Sequence, residues 1–175
     1  LSGWDLMGAL PLDPADVKAL VASGDTRWIE RGAYDLLGTA PDATTSTAGM
    51  PRARCLYGPL PEQLEDPDSF ASRLAEVLRV RREYELASGA LLAVPEVSAK
   101  SLLVMVSRLV LGQTQVTVCN FGPEDLSARV QSDQIPAGHA LDLADGTEVD
   151  AVDDLGGFTV PMGPFQARAL VIVED

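Results

Sequence analysis

The residues with the clearest chemical potential lie in one short run, Asp25-Thr26-Arg27-Trp28. An arginine guanidinium is planar, so it can hold a carboxylate in a two-point fork and can be kept flat by a neighbouring indole ring. The alternative is a surface ion pair beside a packed tryptophan, which is common and weakly stabilising. We therefore take Asp25, Arg27 and Trp28 as candidate residues for binding a ligand or closing a pocket.

A second candidate is the pair Trp4-Asp5, with Tyr34 as a weaker one. Indole faces stack on the C–H surfaces of sugars, and carboxylates accept hydrogen bonds from sugar hydroxyls. The alternative for Trp4 is a buried ring at the end of a strand. The sequence contains no phosphate-binding loop with lysine, no nucleophile elbow and no zinc-binding His-Glu helix. It therefore predicts no catalytic residue, no metal ligand and no cofactor within this chain.

Composition excludes several classes of partner. The chain has 175 residues, 46% of them hydrophobic, and a formal net charge of -13. This charge argues against nucleic acid and anionic membranes, and no apolar run approaches the ~20 residues needed to cross a bilayer. Cys55 and Cys119 are far apart and indicate free thiols in a reducing compartment, so we expect a cytoplasmic protein. His139 follows a turn-like Pro136-Ala137-Gly138 and is expected in a solvated loop.

Two helices and a set of strands must position these residues. Asp13-Pro14 predicts a helix that ends at Gly24, and Asp66-Pro67 predicts one over 67–88. The second helix carries an apolar stripe that must be buried against another body; its members are Phe70, Leu74, Val77 and Leu78.

Beyond Gly89 the period of the apolar residues changes to two, which predicts a small antiparallel sandwich. The predicted strands are 102–106, 115–119, 126–130, 140–143, 157–160 and 167–173. Residues 91–175 contain no tryptophan or tyrosine, and all three phenylalanines there are expected to fill the core: Phe121, Phe158 and Phe165.

The first sixty residues hold both tryptophans and are rich in glycine, as in segments that build sites. They begin at Leu1 without an initiator methionine. We expect this segment to be one wall of a site whose other walls lie upstream.

The chain resembles bacterial trehalose synthases of the α-amylase superfamily, also called maltose α-D-glucosyltransferases. The resemblance covers essentially the whole chain, and the blocks that carry it are 2–12, 24–29, 31–32, 34–36, 56–58, 95–97, 102–106, 115–117 and 120–121.

This resemblance implies an α/β TIM barrel that ends in this chain, followed by an all-β antiparallel sandwich. Residues 1–90 would hold the tail of the last strand (1–3), a loop on the active-site face (4–60) and the last helix (67–88). Residues 91–175 would form the sandwich.

The implied reaction interconverts maltose and trehalose by a retaining double displacement, with glucose as the transient product. The catalytic carboxylates would lie on the upstream barrel. In the related amylosucrases an arginine in a similar Asp-Ser-Arg-Trp context closes the sugar pocket, which points to Arg27. The superfamily usually has Gly-Asp-Glu after the last strand, whereas this chain has Gly3-Trp4-Asp5, so Asp5 lacks a direct counterpart.

Three alternatives stay open. The parent could be an amylosucrase-like glucosyltransferase that uses sucrose. The sandwich could instead be a non-catalytic module that binds glucan, although its lack of tryptophan and tyrosine argues against that reading. It could also mediate contacts between subunits of a homo-oligomer.

Overall fold

The computed structural model describes residues 2–22 and 24–174, which divide into two compact units, Leu1–Glu76 and Val77–Asp175. The first unit consists largely of loops around short helices. These are α1 (Gly3–Met7), α2 (Lys18–Val21), a 3₁₀ helix (Thr26–Glu30), α3 (Leu60–Glu65) and the start of α4 (Phe70–Glu83). A small core of four buried residues holds the unit together: Ala9, Leu12, Val17 and Ala53.

The beginning of the chain departs from the predicted strand tail. Gly3 lies in α1, and Leu1 lies outside the described residues. The Asp5 carboxylate accepts hydrogen bonds from the backbone N–H of Ser2 (2.7 Å) and from its hydroxyl (3.0 Å). This contact fixes the first turn of a helix, so the local chemistry of Ser2 and Asp5 overrides an extended conformation. The assignment of residues 1–90 to a barrel remnant stays a prediction.

The predicted helix after Asp13 is mostly a series of turns. The Asp13 side chain accepts a hydrogen bond from the backbone N–H of Ala15 (2.8 Å), which favours a turn rather than a continuing helix. Val17, with φ -119° and ψ 19°, departs from helical geometry, so α2 begins only at Lys18. Gly24 lies beyond the last turn with a positive φ of 87°, as its predicted role as a stop requires.

The second predicted helix exists but is shorter. α4 ends at Glu83, because Glu85 adopts the left-handed conformation four residues before Gly89. Its apolar stripe is largely exposed in this chain, with Val77 62% and Leu78 46% accessible. Its C-terminal half is anchored instead by Val80, which packs in a cluster with residues of the strand-rich unit.

The second unit is antiparallel throughout. Its strands are β1 (Ala90–Ala93), β2 (Leu102–Arg108), β3 (Thr114–Asn120), β4 (Leu126–Gln131), β5 (Gly138–Asp142), β6 (Glu148–Val152), β7 (Gly157–Met162) and β8 (Ala167–Val173). One sheet has the order β1-β2-β3-β8-β5-β6, and the other pairs β4 with β7.

Fully buried side chains from both sheets form one core, with Val106 and Val116 on one side and Phe158 and Val160 on the other. The antiparallel sheets and their shared core agree with the predicted sandwich. All six predicted strands are present within a few residues of their expected bounds. β1 and β6 were not predicted, since β1 lacks alternation and β6 carries two acidic residues.

Cys55 and Cys119 are free thiols, as predicted, and burial raises the pKa of both. His139 lies in β5 rather than in a loop, and its Nδ1 is 2.8 Å from an Oε1 of Glu148. No helix within residues 2–22 and 24–174 has the length and apolarity needed to span a bilayer.

Candidate functional site

The fork predicted around Arg27 is present. Asp25 caps the 3₁₀ helix Thr26–Glu30: its Oδ1 accepts hydrogen bonds from the Arg27 backbone N–H (3.1 Å) and Nε (2.7 Å), and its Oδ2 accepts one from Nη2 (2.9 Å). The carboxylate and the guanidinium therefore meet at two points, in the planar geometry that arginine favours. The Arg27 side chain stays 73% exposed, so its outer N–H groups remain available to a ligand.

This geometry perturbs the ionisation of both partners. The side-chain hydrogen bonds from Arg27 lower the pKa of Asp25 to about 2, and the same contact raises the pKa of Arg27. The fork is therefore fully ionised at neutral pH. An exposed pair of this kind contributes little to stability, so its geometry is of greater consequence than its energy.

The Trp28 ring contacts Arg31, not Arg27 as the sequence suggested. The ring lies under the guanidinium of Arg31, whose Cζ is 5.0 Å from the ring centroid. Trp28 is half-buried. Because consecutive side chains on a short helical turn point in different directions, Arg27 faces Asp25 while Trp28 turns toward Arg31. The Arg27 guanidinium is therefore oriented by the Asp25 carboxylate.

Trp4 and Tyr34 form a second cluster. Their ring centroids are 6.3 Å apart at an angle of 83°, which is an edge-to-face contact. The Tyr34 ring lies against Gly3, where a Cβ atom would be 2.7 Å from the ring, so only glycine fits at that position. Asp5 is engaged with Ser2, and these bonds lower its pKa. Trp4 packs against the small core and is only half-buried, which leaves part of the indole accessible.

The six candidate residues thus form two groups, Asp25-Arg27-Trp28 and Trp4-Asp5-Tyr34. Within the described residues no hydrogen bond or ring contact joins one group to the other. Trp4 and Ile29 both pack against the same small core, so that core fixes both groups in one unit. Their roles toward a ligand stay predictions.

An open groove of about 300 Å³ was not anticipated from the sequence. The rings of Tyr57 and Phe70 stack on one side of it, with centroids 5.3 Å apart and planes within 10°. Glu62 and Asp66 supply carboxylates to its lining. The sequence predicts Phe70 as a member of the apolar stripe of α4. It does not indicate the contact with Tyr57, which lies thirteen residues earlier.

A second cavity, of about 260 Å³, is lined in part by Tyr34, Asp35 and Arg52. Here Arg52 supports the loop: its Nη1 donates hydrogen bonds to the backbone carbonyls of residues 40, 41 and 43 at 2.8 to 3.0 Å. The pKa of Asp35 is lowered, chiefly by a hydrogen bond from the backbone N–H of Ala40. The side chains of Arg52 and Asp35 are therefore largely engaged in hydrogen bonds that fix the loop. The cavity is a consequence of that loop structure.

The expectation that all three phenylalanines of the sandwich fill its core is wrong for two of them. Phe158 is fully buried, but Phe121 is 67% and Phe165 is 71% exposed. Both lie in loops that are tied together, since the Phe165 backbone N–H donates to the Gly122 carbonyl (3.0 Å). The sandwich therefore presents two exposed aromatic rings although it contains no tryptophan or tyrosine.

No group of three or more histidine, cysteine, aspartate or glutamate side chains in the described part of the chain is arranged to hold a metal ion.

The sequence matches no protein-family model and no curated protein. The fold is similar to part of AmyP, solved in complex with maltotriose, with a TM-score of 0.50 and 13% identity. The likeness covers 58% of this chain and 20% of AmyP. At such identity it shows a shared fold alone.

Two further solved structures are similar at lower scores. An α-amylase from Anoxybacillus has a TM-score of 0.48 and 13% identity, over 60% of this chain and 22% of that one. α-Galactosidase I from Mortierella vinacea has a TM-score of 0.38 and 11% identity, over 44% and 22%. These neighbours are carbohydrate-active enzymes, and the chain spans about a fifth of their length.

Proposed function

We propose that this chain is part of a glucosyl-transferring isomerase that interconverts maltose and trehalose. The catalytic carboxylates would lie on an upstream barrel, and residues 1–90 would complete the active-site face of that barrel. The observation that carries the proposal is the Asp25–Arg27 fork. It lies in the segment that resembles trehalose synthases, and it holds the guanidinium of an exposed arginine in a fixed orientation.

The fork suits a reaction in which a released sugar must not escape. In a retaining double displacement an aspartate would form a covalent glucosyl-enzyme and a glutamate would act as acid and then as base. The freed glucose must turn within a closed pocket before it is glucosylated again. A guanidinium held flat by Asp25 offers fixed N–H donors to a sugar hydroxyl or to a carboxylate across the pocket, which restricts water and holds the sugar in place.

Two other features support the same assignment. AmyP, whose fold is similar to part of this chain, was solved with maltotriose, an oligomer of the same sugar unit. The exposed Val77 and Leu78 on α4 offer apolar surface on which an upstream body would pack.

The complete reading frame provides the test. The purified full-length protein is incubated with maltose, and trehalose and glucose are separated by chromatography. We expect trehalose to accumulate with a smaller amount of glucose. A protein that forms only glucose would be a hydrolase, and one that acts on sucrose but not on maltose would be of the amylosucrase type; either result would overturn the proposal.

A second candidate function, a glucan-binding sandwich, is favoured by the exposure of Phe121 and Phe165. Exposed aromatic rings on tied loops can stack on sugar surfaces. Titration of the full chain with soluble maltooligosaccharides, compared with a double Phe121→Ala/Phe165→Ala variant, separates the two. Binding lost in that variant would support the module. Binding retained would leave the two loops without a role in sugar recognition.

A further inference from the structure

The open groove beside Tyr57 and Phe70 combines exposed aromatic rings with carboxylates. Tyr57 and Phe70 are each 38% exposed although their rings stack on each other. The volume of about 300 Å³ lies at the lower end of the range for small-molecule pockets, roughly 300 to 1,000 Å³.

Contacts with α1 and the residue after it fix the position of the Tyr57 ring. The backbone N–H of Tyr57 donates to the Met7 carbonyl (3.1 Å), and the Tyr57 ring covers Gly8, where a Cβ atom would be 2.8 Å from it. Gly8 also has a positive φ of 56°, so both the backbone and the ring require glycine there. The ring of Tyr57 is therefore positioned before any ligand arrives.

Gln63 fixes the other wall. It is 5% exposed, and its Nε2 donates to the carbonyls of Leu6 (2.9 Å) and Gly58 (2.7 Å). Its Oε1 accepts from the backbone N–H of Ala71 (3.2 Å), in the first turn of α4. One buried amide thus joins α1, the Gly58 turn and the helix that carries Phe70, with its donors and acceptor satisfied.

The lining identifies the class of ligand. It holds two carboxylates, Glu62 and Asp66, and no lysine or arginine, so it disfavours phosphates and other anions. In the described part of the chain no donor hydrogen bonds to Glu62, whereas Asp66 already accepts from the backbone N–H of Asp68 (2.9 Å). Glu62 is the acceptor that a ligand hydroxyl would reach.

The arrangement of the rings decides between a neutral sugar and an organic cation. A cage for a cation needs ring faces that surround the charge. Here the planes are within 10° of parallel and the rings stack on each other, so the pair offers a flat outer face and no cage. A flat apolar surface with an acidic acceptor at its edge matches the C–H face and the hydroxyl rim of a pyranose.

We infer that this groove is a sugar-binding subsite, in which the outer face of the Tyr57–Phe70 stack packs on a glucose ring and Glu62 accepts a hydrogen bond from one of its hydroxyls. The choice of glucose units rests on the proposed function. The subsite would hold a maltooligosaccharide outside the predicted Arg27 pocket.

The test is a titration of the full 175-residue chain with maltotriose, followed by the chemical shifts of its amide signals. We expect saturable binding that Phe70→Ala weakens at least fivefold and Glu62→Gln weakens two- to threefold. Leu64→Ala, an exposed substitution on the same α3 that does not line the groove, is the matched control and should bind like the wild type. Glu62→Arg fills the groove from an exposed position, so it tests the site even if Phe70→Ala unfolds.

No saturation by maltotriose, or equal binding by the wild type and Glu62→Arg, would overturn the inference. So would tighter binding of tetramethylammonium that Glu62→Gln abolishes, since the groove would then be a cation site. These outcomes are independent of turnover by the full-length parent. Loss of isomerase activity with maltotriose binding intact would refute the proposed function and leave the subsite standing.

Discussion

The two units of this chain use different forces to fix their structures. In Val77–Asp175 the core contains a large set of apolar side chains that are almost fully buried, including Val106, Val116 and Phe158. In Leu1–Glu76 the core is four small or medium side chains, and polar groups such as Arg52 and Gln63 fix the loops. The first unit thereby leaves aromatic rings, an arginine fork and carboxylates at the surface. The comparison indicates that apolar burial holds the sandwich, whereas hydrogen bonds from a few polar side chains hold the loop unit.

The largest effect on stability is expected from a substitution at the centre of the sandwich core. Phe158 is fully buried between the sheets, and Phe158→Ala should lower the free energy of unfolding by about 3 to 5 kcal/mol. The measurement is urea denaturation of the full chain. Phe121→Ala also removes a phenyl ring, but from an exposed position, so it should lower the free energy of unfolding far less. Equal effects of the two substitutions would contradict the account of the core.

A smaller loss is expected from the polar framework of the loop unit. Gln63→Ala removes the partner of the part-buried Leu6 and Gly58 carbonyls and of the buried Ala71 N–H, so it should cost about 1 to 3 kcal/mol. Denaturation monitored by amide signals of residues 1–76 would detect it. Gln113→Ala, at an exposed position of the β2–β3 turn, is the control. No loss of stability in Gln63→Ala would show that packing, and not hydrogen bonding, holds this unit.

The smallest effect concerns pH. The pKa of Asp25 is lowered from 3.8 to about 2 by its bonds to Arg27, so the fork stabilises the folded chain above about pH 4. That contribution is lost as the pH falls through the range from 4 to 2. Carboxyl chemical shifts should give a midpoint near 2 for Asp25, and Arg27→Ala should move it upward. An unchanged midpoint in the variant would show that Arg27 is not the cause.

The sandwich was largely predictable, and the candidate site only in part. Valines at alternate positions of β2 and β3 lie on one buried face of the sheet, and a period of two in the sequence predicts such a face. Asp25 and Arg27 are two residues apart, so their fork is also a local feature. The groove was missed because Tyr57 and Phe70 meet through the Gln63 framework, and no period in the sequence encodes that contact. Phe121 and Phe165 were misplaced because hydrophobicity alone does not tell a core ring from one on a loop.

The central claim is that Arg27 closes a sugar pocket in a glucosyl-transferring enzyme. Arg27→Lys in the full-length parent tests it most directly, because lysine keeps the charge and loses the planar fork. A matched control is Arg73→Lys, since Arg73 pairs with Asp68 at 2.7 Å and is similarly exposed, at 69%. The readouts are the melting temperature, the rate of trehalose formation from maltose and the ratio of glucose to trehalose. The account predicts that Arg27→Lys lowers the rate at least tenfold and raises that ratio at an unchanged melting temperature, while Arg73→Lys resembles the wild type. Wild-type rate and product ratio in Arg27→Lys would contradict it and reduce the fork to a surface ion pair.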